Sequence, residues 1–349
     1  MRYNRLGSTG LVVSELCLGT MTFGSRETRF STIAGLDQAA STALVKQAFD
    51  AGINFIDTAN IYSLGQSEEF TGRALKDLGI PRSDIIVATK ATSFMGEGPN
   101  DYGASRFHLL NQVDESLERL GLDHVDLFQI HAWDPVTPVE ESLRALEDIV
   151  RSGRARYVGV SNWAAWQVMK ALGIADRRGF DRLACVQAYY TVAGRDLERE
   201  IVPLLESEGL GLLAWSPLAG GLLSGKYRRG DAGIEGDGRR ARFDFPPVDL
   251  DRAYGLVDAM APMAQARNCS VGRIAIAWLL HRPAVTSVIL GATREDQLAD
   301  NIAACDVELD APELSTLDAL SALPSEYPGW MLQGVGGYEN RVSPRRQAK

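Results

Sequence analysis

The stretch RFHLLNQVDESLERLGLDHVDLFQIH, residues 106–131, contains the unit from which the fold can be read. Leu109, Leu110, Val113, Leu117 and Leu120 fall on one stripe at helical spacing, and Gly121 supplies a stop. The apolar run 125–130 then reads as a strand closed by His131. Working outward, the same alternation recurs along the chain. Strands are expected at 16–19, 54–57, 85–89, 125–130, 157–161, 185–188, 211–215 and 287–290. Helices are expected at 39–51, 68–78, 106–120, 139–152, 164–178, 197–207 and 294–304, with Gly79, Gly121, Gly153 and Gly209 as C-terminal stops. Eight strand–helix units in sequence predict an α/β fold, a (β/α)8 TIM barrel, over the competing open doubly wound sheet.

Three features lie outside that rhythm. Residues 3–6 and 11–14 flank Gly7-Ser8-Thr9-Gly10, which reads as an N-terminal β-hairpin able to plug the lower end of a barrel. Extra helices are expected at 251–267 and 312–321, outside the eightfold count. Long loops at 25–35 and 227–247 are of the length usually kept for function. Residues 1–349 are read as a single domain with its core at about 3–321 and a tail at 322–349. The tail, with Tyr327, Trp330, Met331 and Tyr338, is expected near the pocket.

With 349 residues and 23% charged side chains the composition is that of an ordinary globular protein. The formal charge of −9 argues against a nucleic-acid footprint, which needs a basic face. Cys17, Cys185, Cys269 and Cys305 form no Cys-x-x-Cys pair and read as free thiols. The start lacks the apolar core of a signal peptide, and the uncharged stretch near 209–225 is interrupted by glycines and Pro217. A cytoplasmic protein without a membrane span is expected.

Asp57, Tyr62, Lys90 and His131 stand at or just beyond the ends of successive strands, and strand-end residues of a parallel barrel converge on one face. Each alone is unremarkable: an Asp caps a helix, a Tyr packs, a His fills a core. Together they can protonate a carbonyl oxygen. A phenol with an unperturbed pKa of about 10 needs a neighbour that stabilises the phenolate, and Lys90 is the candidate. Lysine is scarce, six against 30 arginines, so one ending an apolar strand stands out. Asp57 would hold it charged, and His131 would orient the substrate oxygen.

On these residues the chain resembles an aldo-keto reductase, on the side of the family that includes potassium-channel β subunits. The resemblance spans about 3–321 and rests on Gly52-Ile53-Asn54-Phe55-Ile56-Asp57-Thr58-Ala59 with Tyr62 and Gly65, the strand ending in Lys90, Gln129-Ile130-His131, and Gly159-Val160-Ser161-Asn162. It implies a tetrad of Asp57, Tyr62, Lys90 and His131, with Tyr62 as general acid, and direct hydride transfer from a reduced nicotinamide without a metal. There is no Gly-x-Gly-x-x-Gly turn, so a Rossmann site is not offered.

The resemblance instead lays the cofactor across the barrel's upper face. Thr20, Asp57, Ser161, Asn162 and Gln187 are expected at the nicotinamide end, the last three pairing with its carboxamide, and Trp215 stacking on its ring. Ser216, Pro217, Leu218, Gly220 and Lys226 would form a belt over the pyrophosphate. Gly220 to Lys226 also fits Gly-x4-Gly-Lys, but Tyr227 stands where a P-loop needs Ser or Thr, which argues against triphosphatase chemistry. Gly291, Thr293, Arg294, Gln297 and Asn301 would take the adenosine end. Arg294 gripping a 2′-phosphate favours NADP(H), with NAD(H) also admissible. Arg240 or Arg242 would add a second phosphate contact.

Phe23, Phe94 and Trp133, with Tyr62 and His131, suggest an apolar pocket for a bulky carbonyl. The expected activity is NADPH-dependent interconversion of an aldehyde or ketone with its alcohol. Two alternatives remain at this stage: a cofactor-sensing regulatory protein of the potassium-channel β-subunit type, and a Schiff-base lyase using Lys90.

Overall fold

The computed structural model describes residues 1–26, 32–227, 240 and 243–334. Two short antiparallel strands, β1 (Tyr3–Arg5) and β2 (Val12–Ser14), form the hairpin. Eight parallel strands then close into a barrel: β3 (Leu16–Gly19), β4 (Phe55–Asp57), β5 (Ile86–Ala91), β6 (Val125–Ile130), β7 (Ala155–Ser161), β8 (Cys185–Tyr189), β9 (Gly211–Trp215) and β10 (Val285–Leu290). β10 pairs with β3 to complete the ring. The (β/α)8 barrel with an N-terminal hairpin is therefore the architecture, and an open sheet is excluded by the closure.

Two apolar layers hold it. Outside the strands, helices such as Arg106–Leu120 bury Leu109, Val113 and Leu120 against the sheet, each such side chain contributing about 1.5–3 kcal/mol. Ser105 caps this helix by accepting from the His108 amide, and Gly121 ends it in a left-handed conformation with φ of 63°. Inside, Leu6 and Val13 of the hairpin pack with Cys17, Phe55, Ala88, Leu127 and Leu213, so the hairpin closes the lower end of the barrel. The hairpin is seated by the Ser8 amide donating to the Gly209 carbonyl at 2.7 Å.

The structure departs from the sequence reading in three places. The helix between β9 and β10 that completes the outer ring is Val271–Leu280, which the reading lacks; nearly all of it is buried, so it shows no polar face and hence no helical period. The stretch 197–207 divides into a 3-10 turn, Asp196–Glu198, and a helix, Ile201–Glu208. Helices Leu250–Ala266 and Ala311–Leu320 lie outside the eightfold count, close to the expected bounds. The tail does not bury its aromatics in the described residues: Arg199 fastens it through Pro324 and Glu326, leaving Tyr327 74% exposed and Trp330 50% exposed. Tyr338 and Arg242 lie outside the described residues.

Candidate active site

β4 ends at Asp57, β5 carries Lys90 one residue from its end, and His131 follows β6 directly. Tyr62 sits in the loop between β4 and the helix Gln66–Asp77. Because all eight strands are parallel, these positions meet at the barrel's C-terminal face.

Lys90 is without solvent contact and its Nζ lies 2.6 Å from Asp57 Oδ2. The same Nζ donates to the Thr58 carbonyl at 2.7 Å and reaches the Tyr62 hydroxyl oxygen at 3.4 Å. All three ammonium hydrogens thus have acceptors. The other Asp57 oxygen accepts from Gln129 Nε2 at 3.2 Å and Gln187 Nε2 at 2.9 Å. Burial works to strip the proton from Lys90, but Asp57 and Tyr62 outweigh it and hold the group charged, above its ordinary value. Burial likewise lifts the Tyr62 phenol above its ordinary value, while the Lys90 charge pulls it back. At neutral pH the site therefore holds a protonated phenol beside an ammonium, which is a proton donor with its conjugate base already compensated. The half-buried His131 ring lies edge-on to Tyr62, with centroids 5.7 Å apart.

Next to this group, Asn162 adopts a left-handed backbone with φ of 58°. Its Nδ2 donates to the His131 carbonyl at 3.1 Å and to Ser161 Oγ at 3.0 Å, while its Oδ1 accepts from Trp215 Nε1 at 3.1 Å. The indole is thereby fixed in plane. It packs parallel to Phe245 at 5.8 Å and tilted against Tyr189 at 5.1 Å. Beyond Trp215 the chain turns sharply: Ser216 Oγ accepts from the Gly220 amide at 3.1 Å, and Leu218 opens the 3-10 turn Ala219–Ser224. Gly220 and Gly221 are left-handed, and a Cβ on Gly221 would stand 3.4 Å from Lys226 Nζ. The Gly220 amide is engaged by Ser216 Oγ and the Gly221 amide by the Leu218 carbonyl, so the group this turn offers to an anion is the Lys226 ammonium.

The aldo/keto reductase family model matches residues 15–322 of this chain. The chain is 39% identical to a probable voltage-gated potassium channel subunit beta of Oryza sativa subsp. japonica, over 94% of this chain and 98% of that one. It is 38% identical to a protein of the same name from Arabidopsis thaliana, over 88% and 92%. It is 35% identical to the versiconal hemiacetal acetate reductase of Aspergillus parasiticus, over 94% and 99%. The chain belongs to the aldo/keto reductase family. As such it is a carbonyl-reducing oxidoreductase of a family that uses NAD(P)H.

Several residues expected to touch ligand sit differently in this aldo/keto reductase. Thr20 is fully buried: its hydroxyl bonds Ser67 Oγ at 2.8 Å, its amide donates to the Asp57 carbonyl and its carbonyl accepts from the Phe23 amide. The Gln187 amide donates to Asp57 and so braces that carboxylate, whereas a carboxamide contact was expected of it. Phe23 is fully buried in the outer core. Phe94 is 62% exposed and stacks on Tyr102 at 4.3 Å, while Trp133 packs edge-on against Trp163 and Trp166. Arg240 is buried, donating to the Ala219 carbonyl at 3.1 Å and the Pro246 carbonyl at 2.9 Å and pairing with Asp244. It ties the long loop to the 3-10 turn and leaves no fork for a phosphate.

At the last strand, Gly291 and Thr293 are exposed, Asn301 is buried, and the Thr293 amide and hydroxyl both donate to Gln297 Oε1. The exposed Arg294 grips Asp296 with two nitrogens at 2.8 and 2.9 Å. That pairing raises Arg294 and lowers Asp296. Three contacts were not foreseen: Gln129 on Asp57, and Phe245 and Tyr189 on Trp215. Gln129 had a signal, since it shares its strand face with His131 and lies across from Lys90 in the register.

Proposed function

We propose that this aldo/keto reductase interconverts an aldehyde or ketone with its alcohol using NADP(H), Tyr62 acting as general acid in reduction and general base in oxidation. The observation that carries the proposal is the buried Lys90 ammonium bridging Asp57 and the Tyr62 oxygen. A reduced nicotinamide, when bound, supplies the hydride. Trp215 would hold its ring, with Ser161 and Asn162 alongside. The belt of Ser216, Pro217, Leu218, Gly220 and Lys226 would hold the pyrophosphate, and Gly291, Thr293, Arg294, Gln297 and Asn301 the adenosine. The residues fit this use because the belt sets the Lys226 ammonium over its left-handed glycines, and because Trp215 is pinned by Asn162. Tyr62 gives its proton to the carbonyl oxygen as negative charge develops there, Lys90 stabilises the phenolate left behind, and His131 orients the substrate oxygen.

The exposed aromatics Phe94 and Trp166, with Trp133 between the loops, support a bulky apolar carbonyl as substrate. Arg294 supports NADP(H), and its pairing with Asp296 supports usable NAD(H) as well. The four free cysteines fit a reducing, cytoplasmic setting.

The test is NADPH oxidation with a panel of aldehydes and ketones, together with Tyr62→Phe. That variant is expected to bind NADPH as the parent does and to lose roughly 10²–10⁴-fold in turnover. Near-parental turnover would remove Tyr62 from the mechanism. The similarity to the two potassium channel β subunits favours one second reading, a cofactor-sensing regulatory protein. Tight NADPH binding with no turnover on any carbonyl would select it. A Schiff-base lyase is disfavoured because Asp57 keeps Lys90 protonated, and borohydride trapping with substrate would be needed to revive it.

A further inference from the structure

Glu68 is a buried charge that the chemistry above leaves unused. Its carboxylate has no solvent contact: Thr89 Oγ1 donates to one oxygen at 2.5 Å and Arg119 Nε to the other at 2.7 Å. Arg119 also reaches Glu115 at 3.2 Å and Ser116 Oγ at 3.3 Å, which fixes its plane. The guanidinium stem lies flat on the turn after Tyr62: a Cβ on Gly65 would fall 2.4 Å from Arg119 Cδ. That turn is strained. Ser63, Leu64 and Gly65 are left-handed in succession, with φ of 48°, 48° and 84°. A left-handed residue other than glycine costs roughly 1–2 kcal/mol, so two in a row persist only where neighbours over-determine them.

The neighbours are identifiable. Ser63 Oγ donates to the Phe23 carbonyl at 2.9 Å, the Ser67 amide donates to the Tyr62 carbonyl at 3.3 Å, and Glu68 follows Ser67. At the other end of the network, Thr89 precedes Lys90 on β5. One carboxylate is thus bonded to the residue before Lys90 and, through Arg119, packed on Gly65, three residues after Tyr62. The charges that shift Tyr62 and Lys90 are each other, Asp57 and, for Tyr62, Cys17, so Glu68 acts on them through geometry.

We propose that Glu68 is a positioning residue: clamped by Arg119 and Thr89, it presses the left-handed turn after Tyr62 against the end of β5 and sets the phenol–ammonium separation. The proposal rests on the catalytic reading of Tyr62 and Lys90. A buried ion pair contributes little net stability, because desolvation offsets the attraction, so its value here is directional.

Three variants test it. Thr89→Val cuts the link to β5 and keeps the ion pair. Glu68→Gln keeps the shape and removes the charge. Glu68→Met with Arg119→Met removes both charges and guards against misfolding caused by a lone buried arginine. Glu313→Gln, which breaks the Arg267 pair far from the barrel's upper face, is the control for general destabilisation. Turnover in alcohol oxidation is measured against pH, with NADPH affinity by fluorescence and the melting temperature alongside.

Thr89→Val and the double variant are expected to lose roughly 10- to 100-fold in kcat with NADPH affinity nearly unchanged. Their pH inflection should move upward, because a phenolate held less closely by Lys90 forms at higher pH. Glu313→Gln with an equal loss of melting temperature should alter neither kcat nor the inflection. Parental kcat and inflection in Thr89→Val would overturn the proposal, whether or not the double variant folds. A fall in kcat that Glu313→Gln reproduces would overturn it equally. If Tyr62→Phe is inactive while Thr89→Val is normal, the clamp fails and the catalytic reading stands.

Discussion

Replacing Lys90 by methionine keeps most of the side-chain volume and removes the charge that faces the phenol. The ammonium nitrogen lies 3.4 Å from the Tyr62 oxygen. At an effective dielectric of about 20, a unit pair at that separation attracts by about 5 kcal/mol. Losing that attraction removes the influence that pulls the phenol down, so its pKa should climb further in the variant. Asp57 pushes the same way once unpaired, since its charge already raises the phenol. The sign follows for each direction of reaction. Reduction needs the protonated phenol and is flat below the inflection, so moving the inflection up leaves its neutral range in place, though a weaker acid is a slower one. Oxidation needs the phenolate, so at pH 8 it should fall by about 10³-fold, well beyond the loss in reduction.

Lys90→Met leaves a buried carboxylate held, among the described residues, by Gln129 and Gln187, and Asp57→Asn with Lys90→Met is the neutral companion that separates charge loss from misfolding. Steady-state kcat is followed from pH 6 to 11 in both directions by nicotinamide absorbance. An oxidation inflection that stays where the parent has it, in both variants, would refute the assignment of Lys90 as the group that tunes Tyr62.

Three further outcomes follow. Arg294→Ala should weaken NADPH far more than NADH, and Asp296→Asn should tighten NADPH by about 3-fold by freeing the guanidinium fork, a small effect because exposed pairs are weak. Fluorescence titration with each nucleotide decides, and equal losses for both in Arg294→Ala would mean that no 2′-phosphate lies there. Gly72→Ala should destabilise the protein by about 1–3 kcal/mol in urea, although a helix-interior exchange of this kind normally stabilises by about 1 kcal/mol. The reason is contact: the added Cβ would fall 2.0 Å from the Leu120 carbonyl oxygen, so the helices Gln66–Asp77 and Arg106–Leu120 would have to separate. An unchanged urea midpoint would show that they can part at no cost.

The barrel was legible because its helices carry one apolar stripe and its strands are short apolar runs, two periods that composition cannot imitate. The legible part stopped where those signals stop. VGRIAIAWLL, residues 271–280, has apolar residues on every side, because it lies between the barrel and the outer helix Leu250–Ala266, and it shows no stripe. Loop residues failed for a different reason: nothing local tells the inside of a loop from its outside. Phe23 and Phe94 are both aromatic and both follow strands, yet one is fully buried and the other 62% exposed. Charge alone offers Arg240 or Arg242 to a phosphate, but Arg240 pairs with Asp244 and donates to carbonyls 21 and six residues away, a closure no sequence pattern announces. The four strand-end residues could be singled out because parallel strands place their ends on one face. Which of them touch depends on loop geometry that no local pattern encodes.

Those contacts also explain why the proton starts on Tyr62. With the phenol protonated, Asp57 and Lys90 cancel and the buried cluster is neutral; two amides complete the carboxylate without adding charge. Cys17 and Cys185, also within reach of the Asp57 charge, are pushed up by burial and then by that carboxylate, so they add no second anion. Losing the phenol proton leaves one net negative charge in a low-dielectric interior, a state disfavoured unless a substrate oxygen has taken the proton. Delivery to a developing alkoxide therefore exchanges one oxyanion for another beside the same ammonium, and the barrier avoids the cost of creating a new buried charge. That balance depends on Lys90 remaining within reach of both Asp57 and Tyr62, which is why the turn after Tyr62 and the end of β5 have to be held together.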